Sequence, residues 1–260
     1  MGNHSCPRCS YNKIYKVRRG KLRCSKCKYE WDPHRQLPLY LTEAEWGEIF
    51  RWFLHGLSGK AISYETDIHR LRVYRALTKV RQAMSKDIPE VFDGTVEIDE
   101  TYIGGQWRNK RNKDKAQKAR RGRGTAKTPV FGILCRGGKV WAQVVPDVEA
   151  KTLLPLIDKR VKQGSVICTD TWKSYTGIAA KGYVHRLVEH GKGQYADKSG
   201  NHINGLEGFW GYLKRRLAAK GGIRKEKLPL YLAEYVWKYN HRNLSIDKQI
   251  SKLLLLLKIN

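Results

Sequence analysis

Four of the six cysteines stand as two close pairs, Cys6-Pro7-Arg8-Cys9 and Cys24-Ser25-Lys26-Cys27, with fourteen residues between them. Two residues between thiols is the spacing of a tight turn whose ends grip one side of a tetrahedral ion. Doubled, it describes a single structural Zn²⁺ held by Cys6, Cys9, Cys24 and Cys27. The intervening Asn12–Arg23 stretch alternates Ile14, Tyr15, Val17 and Leu22, which suits a short hairpin. A module of about 30 residues cannot fold by core burial alone, so metal is the expected staple of a zinc ribbon over 1–36. Arg8 and Lys26 favour the thiolates. Two disulfides are the alternative, but the Met-Gly-Asn-His start has no signal-peptide shape, and a cytoplasmic setting is expected. Cys135 and Cys168 lie in apolar runs and read as small buried hydrophobes.

Charge narrows the partner. Lys and Arg number 51 against 24 Asp and Glu, a formal net charge of +27. That excess points to a polyanion, nucleic acid above all, rather than a small acidic metabolite. Hydrophobic residues make up 41% of the chain, enough for a core, so wholesale disorder is excluded. No apolar run approaches the roughly 20 residues of a membrane span. The densest basic block is Arg108 to Arg123, nine Lys or Arg in 16 residues. Such a block repels itself and lacks periodicity. It is either a solvated loop or a clamp on the DNA backbone, with Arg108, Lys110, Arg111, Arg120, Arg121 and Arg123 as candidate contacts.

Residues 37–90 read as helical. Thr42 precedes Glu45 by three positions, the capping-box spacing, and Trp46, Ile49, Phe50 and Phe53 then recur at helical intervals. After a break at Gly56, Ser58–Tyr64 suits a short helix, and Asp67 is expected to cap a third helix running to about Met84. Leu71, Tyr74, Leu77 and Val80 are expected on one side of it, with Arg70, Arg72, Arg75 and Lys79 elsewhere. A basic helix after a short helix and turn resembles the recognition helix of a helix-turn-helix; a connector bundle with a solvated basic face is the alternative.

From residue 95 strands take over. Thr95–Ile98 leads into Asp99, Val130–Cys135 and Val140–Val145 flank an Arg136-Gly137-Gly138 turn, and Val166–Thr169 ends in Asp170. Helical periodicity covers Ala150–Val161 and Asn204–Leu217, and Val184–Val188 suits a further strand. Asp99 and Asp170 therefore end hydrophobic strands. Singly, each is a turn cap. On neighbouring strands their carboxylates would repel unless they share a divalent cation such as Mg²⁺ or Mn²⁺. Glu207, from the Asn204–Leu217 helix, would complete a two-ion site for in-line attack at phosphorus, and Lys214, two turns on, would hold a phosphate. Glu97 shares the Asp99 side of its strand and is a possible substitute, whereas Glu100 is turned away. His185 and His202 read as packing or phosphate-contact residues. Trp172, beside Asp170, is a candidate for stacking on a splayed base, while Trp210 and Trp237 read as core.

The runs Glu97-Ile98-Asp99-Glu100-Thr101-Tyr102-Ile103-Gly104-Gly105, Thr169-Asp170-Thr171-Trp172-Lys173-Ser174-Tyr175 and Asn204-Gly205-Leu206-Glu207-Gly208-Phe209-Trp210 with Lys214 resemble the DDE transposases of small bacterial insertion sequences, in the group related to eukaryotic Merlin elements. The Tyr235-Val236-Trp237-Lys238-Tyr239-Asn240-His241-Arg242 segment is similar to that family's C-terminal helix. The resemblance implies an α/β fold with a ribonuclease-H-like core over 91–260, preceded by the ribbon (1–36) and the helix-turn-helix domain (37–90). It implies Asp99, Asp170 and Glu207 as metal-binding catalytic acids. It also implies binding of double-stranded DNA, both terminal inverted repeats and target, by a homodimer or larger synaptic assembly in the bacterial nucleoid. A non-catalytic regulator derived from such an enzyme, or a structure-specific nuclease, are the alternatives.

Overall fold

The computed structural model describes residues 6, 9, 11–31, 37–89, 91–105, 127–170, 177–188 and 202–259. The chain divides into two compact units, Met1–Ala83 with Ser245–Asn260, and Met84–Leu244. None of the helices among the described residues is long and apolar enough to cross a membrane.

In the first unit, β1 (Ile14–Lys16), β2 (Leu22–Cys24) and β3 (Glu30–Trp31) form an antiparallel sheet in that order. The hairpin expected between the cysteine pairs is β1–β2, with Ile14 opposite Cys24. At two residues, β3 is too short for periodicity to reveal.

Helix α1 (Glu43–His55) starts at the expected capping box. The Thr42 N–H donates to Glu45 Oε2 at 2.6 Å, and the Glu45 N–H donates to Thr42 Oγ1 at 3.2 Å. Gly56, at φ 96°, ends the helix in the left-handed region that favours glycine. Helix α2 (Gly59–Glu65) is capped by Ser58, whose Oγ accepts the Ala61 N–H.

Helix α3 (Arg70–Met84) departs from the sequence expectation twice. Asp67 does not cap it; at φ 51° it sits in the turn, a conformation its short polar side chain tolerates. The first helical N–H groups, of Arg72 and Val73, donate to the His69 carbonyl instead. The phase also differs. Val73, Ala76, Leu77, Val80 and Met84 are buried, whereas Leu71 and Tyr74 are 58% and 46% exposed.

The second unit is built on a five-stranded sheet of order β6-β5-β4-β7-β8. Its strands are β4 (Thr95–Ile103), β5 (Thr128–Cys135), β6 (Val140–Val144), β7 (Val166–Asp170) and β8 (Val184–Val188). Strands β6, β5 and β4 are antiparallel to one another in turn, and β7 and β8 run parallel to β4. Helix α4 (Ala150–Arg160) links the two halves. Its Leu153 and Ile157 pack with Val96, Ile98, Phe131 and Ile133 on one sheet face. Helices α5 (Asn204–Ala218) and α6 (Leu228–Asn240) cover Val130, Leu134 and Val140 on the other. Strand alternation then assigns Glu97 and Asp99, with Gly132 opposite Asp99, to the α5 face.

Helix α7 (Ile246–Ile259) belongs to the first unit rather than to the domain it follows in sequence. It packs on α1, with Ile250, Leu253 and Leu257 buried and ion pairs Arg51–Asp247 (3.2 Å) and Lys258–Glu43 (3.0 Å) at its ends.

Candidate active site and metal centre

Asp99 does not end its strand as the sequence suggested: β4 runs on to Ile103 because β5 keeps pairing with it. Asp99 lies mid-strand, two residues past the last rung shared with β7 at Glu97 opposite Cys168, while Asp170, two residues past Cys168, is the carboxyl end of β7. Ligand sites in open α/β sheets gather at such strand ends. The Asp99 carboxyl is pushed up to about 7, first by burial and then by the negative charges of Glu100 and Asp170. Hydrogen bonds from the Glu100 backbone N–H and the Trp210 indole oppose the shift without cancelling it. The Trp210 Nε1–H donates to Asp99 Oδ2 at 3.0 Å. Lys214 is exposed, yet its ammonium is drawn down by the packing around it, pulled back up by Asp99, and lowered again by Lys127.

Glu207 is exposed on α5, one turn before Trp210 and two before Lys214. Among the described residues, only the four N-terminal cysteines bring their ligand atoms within 4.8 Å of one another; Asp99, Asp170 and Glu207 are not gathered that closely. Three carboxylates have no reason to converge without a positive charge between them. The donor set nevertheless fits a hard divalent cation, because adjacent strands hold carboxylates near enough for Asp99 to feel the charge of Asp170.

Glu97 is not a substitute ligand. Completely buried, it accepts the Leu206 N–H at 2.8 Å in the first turn of α5 and pairs with Arg136 Nε at 3.4 Å. His202 Nδ1 lies 3.1 Å away without hydrogen-bond alignment. The carboxylate thus ties β4 to the helix that carries Glu207. His185 is on the outer strand, where Nε2 meets Thr169 Oγ1 at 2.8 Å.

Arg70, Arg72, Arg75 and Lys79 are exposed on α3 together with Leu71 and Tyr74, a mixed basic and apolar face. Arg81 instead lies over the Phe53 ring at 5.6 Å. Arg108, Lys110, Arg111, Arg120, Arg121, Arg123 and Trp172 lie outside the described residues.

The cysteines form the second site. Cys6 Sγ is 3.6 Å from Cys27 Sγ, and Cys9 Sγ is 3.6 Å from Cys24 Sγ. A disulfide would need about 2.05 Å. Thiolates at about 2.3 Å from one tetrahedral Zn²⁺ stand about 3.8 Å apart, which the four sulfurs fit. Burial pushes the Cys24 thiol up, but the N–H groups of Cys27 and Lys26 and the neighbouring thiols bring it down to about 7. The Tyr11 N–H favours the Cys9 thiolate, but burial and the three other sulfurs push it up to about 12.

Trp210 and Arg136 are site residues that the sequence pattern did not single out as such. Trp210 falls on the apolar stripe of α5 and reads as core, which it also is at 4% exposure. A usable signal was Gly132, a glycine inside a buried strand, where close approach of another group is the usual cause.

A family model, the ISXO2-like transposase domain, matches residues 91–240. A transposase-like protein of Haemophilus influenzae is 41% identical over 120 residues, 46% of this chain and 94% of that protein. Among solved structures, a pre-cleavage Mos1 transpososome and the Mos1 strand transfer complex each share 13% identity over 83% of this chain. They cover 80% and 79% of those chains at a TM-score of 0.26, too low to carry an argument.

Proposed function

The chain belongs to the ISXO2-like transposase family of insertion-sequence DDE transposases, and from that premise we propose that it cuts DNA at Asp99, Asp170 and Glu207 and joins the freed ends to target DNA. The observation that carries this reading is the pair of aspartates on adjacent strands, each two residues past the Glu97–Cys168 rung, with Asp99 on the face that α5 covers. The sheet order, three antiparallel strands continued by two parallel ones, supports a ribonuclease-H-like core within 91–260. The three carboxylates would hold two Mg²⁺ or Mn²⁺ ions. When bound, such ions activate the attacking oxygen and stabilise the leaving one. Asp99 and Asp170 set the floor of the site, Glu207 approaches from the helix, and Lys214 holds a phosphate of the strand. In cleavage, water attacks phosphorus at the element's end and the P–O3′ bond breaks, leaving a 3′-hydroxyl and a 5′-phosphate. In joining, that 3′-hydroxyl attacks a target phosphodiester, forming a new one as the target's own 3′-hydroxyl leaves.

The four thiols support a zinc ribbon over 1–36, and α2 with α3 support a helix-turn-helix within 37–90. Together they would recognise double-stranded terminal inverted repeats, with Arg70, Arg72, Arg75 and Lys79 entering or flanking the major groove. Arg108, Lys110, Arg111, Arg120, Arg121 and Arg123 would clamp the backbone, and Trp172 would stack on a base. Two ends held at once require a homodimer or a larger synaptic assembly in the bacterial nucleoid.

The test sets the parent beside Asp99→Asn on labelled DNA carrying the element's ends, with Mg²⁺. The parent should nick at the end and leave a 3′-hydroxyl, while the variant binds but does not cut. Equal cutting by both removes Asp99 from the chemistry. Binding without cutting by both favours a regulator, and cutting of branched DNA regardless of end sequence favours a structure-specific nuclease.

A further inference from the structure

We infer that Trp210 is a positioning residue for Asp99, and that Gly132 exists to let it serve as one; this rests on the reading of Asp99 as a metal-binding acid. Strands β4 and β5 pair Asp99 directly with Gly132, and alternation turns both toward α5. The Trp210 ring lies against that glycine. A Cβ on residue 132 would stand 2.6 Å from Cζ2 and Cη2 of the indole and 3.2 Å from Leu206 Cδ1. Glycine weakens a strand interior, so its presence within Val130-Phe131-Gly132-Ile133-Leu134 calls for a compensating contact. The close approach of the ring supplies it.

The indole N–H is a donor only, and when buried it needs an acceptor. Here the acceptor is Asp99 Oδ2, at 3.0 Å. With the Glu100 N–H as a second donor, the carboxylate is held in one orientation. A carboxylate offers about four acceptor sites, so two donors leave sites for a cation while removing the rotation that would misdirect them. Trp210 also shares α5 with Glu207 and Lys214, one turn from each. The contact that orients Asp99 therefore also sets where Glu207 stands along β4. Phenylalanine would fill most of the same space and orient nothing.

The test uses the full chain with Trp210→Phe, Gly132→Ala and Asp99→Ala. The indole ¹H–¹⁵N resonance lost in Trp210→Phe should lie downfield and exchange slowly in the parent. It should move upfield and exchange faster in Asp99→Ala; no response there overturns the inference whatever the activities are. On end DNA, Trp210→Phe should keep the parent's DNA affinity but cut about 10- to 100-fold more slowly and need more Mg²⁺, the usual cost of losing a group that orients a ligand. Gly132→Ala should shift the same resonance and reproduce that loss. A parental rate and Mg²⁺ requirement in Trp210→Phe overturns the inference while leaving the transposase reading intact, provided Asp99→Ala is inactive. If parent and Asp99→Ala are equally inactive on DNA, the transposase reading fails. The positioning role is then judged by the resonance and by Mn²⁺ titration, in which Trp210→Phe and Asp99→Ala should both weaken the same site and unchanged affinity in Trp210→Phe overturns it.

Discussion

Asp99 holds its proton more tightly in the folded chain than an exposed aspartate does, because burial and the charges of Glu100 and Asp170 all oppose ionisation. The ordinary carboxyl value of 3.8 rises to about 7. Between those values the unfolded chain gives up the proton and the folded chain keeps it. Stability from this group is therefore fully present below the lower value, declines as pH rises toward 7, and is flat above it. Asp99→Asn lacks the titration. Without added divalent cation, the variant's melting temperature should gain on the parent's from pH 4 to pH 7 and stay a constant interval above it beyond. Parallel curves across that window would contradict the assignment. Glu97, two residues away, is fully buried, accepts the Leu206 N–H and pairs with the Arg136 guanidinium, so that it anchors a helix end. Strand alternation puts Glu97 and Asp99 on one face, and nothing in their spacing says that one meets an N–H and a guanidinium and the other an indole.

At the level of elements, the ribbon and the helices depend on different forces. The described ribbon buries little besides Leu22 and the sulfurs of Cys6 and Cys24, so its three strands have no apolar core to hold them. A metal held by the four thiols would therefore supply the folding free energy. A strong zinc chelator should abolish the dispersed amide signals of residues 14–31 and leave those of the five-stranded sheet in place; persistence of the ribbon signals would show that something other than the metal holds it. Helix α1 needs no such staple, since its capping box, left-handed Gly56 and buried Trp46, Ile49, Phe50 and Phe53 all act within or directly beneath it. That self-sufficiency is why its start and end were readable. Helix α3 was readable in extent but not in phase. Leu71 and Tyr74 sit at helical spacing from Leu77, yet the buried stripe runs through Val73, Ala76, Leu77 and Val80. An apolar pair on the outer side of a basic helix leaves a surface suited to both phosphates and bases.

Across the whole molecule, the first unit is closed by its most distant segment. Helix α7 comes from the chain's end and packs on α1 through Leu253, which is fully buried. Leu253→Ala should cost about 2–5 kcal/mol, the range for truncating a buried leucine. Hydrogen exchange should quicken in Glu43–His55 and stay unchanged in β4 and β5; uniform acceleration would mean that the two units unfold together. No periodicity within 246–259 says which partner its apolar stripe will find. The sequence by itself determined what acts over one or two turns of chain: the cysteine pairs, the capping box, the Gly56 stop, the Arg136-Gly137-Gly138 hairpin, and the acid at the end of β7; it stopped β4 at Asp99, four residues short of its end at Ile103. Only the tertiary structure decided which faces meet. It turned Leu71 and Tyr74 outward, gave α7 to the first unit, buried Glu97 under an N–H 109 positions away, and set the Trp210 indole on Asp99 across 111. Local pattern states that a face is apolar or charged; what it will touch depends on closing loops of that length, and only packing of the whole sheet selects among the possibilities.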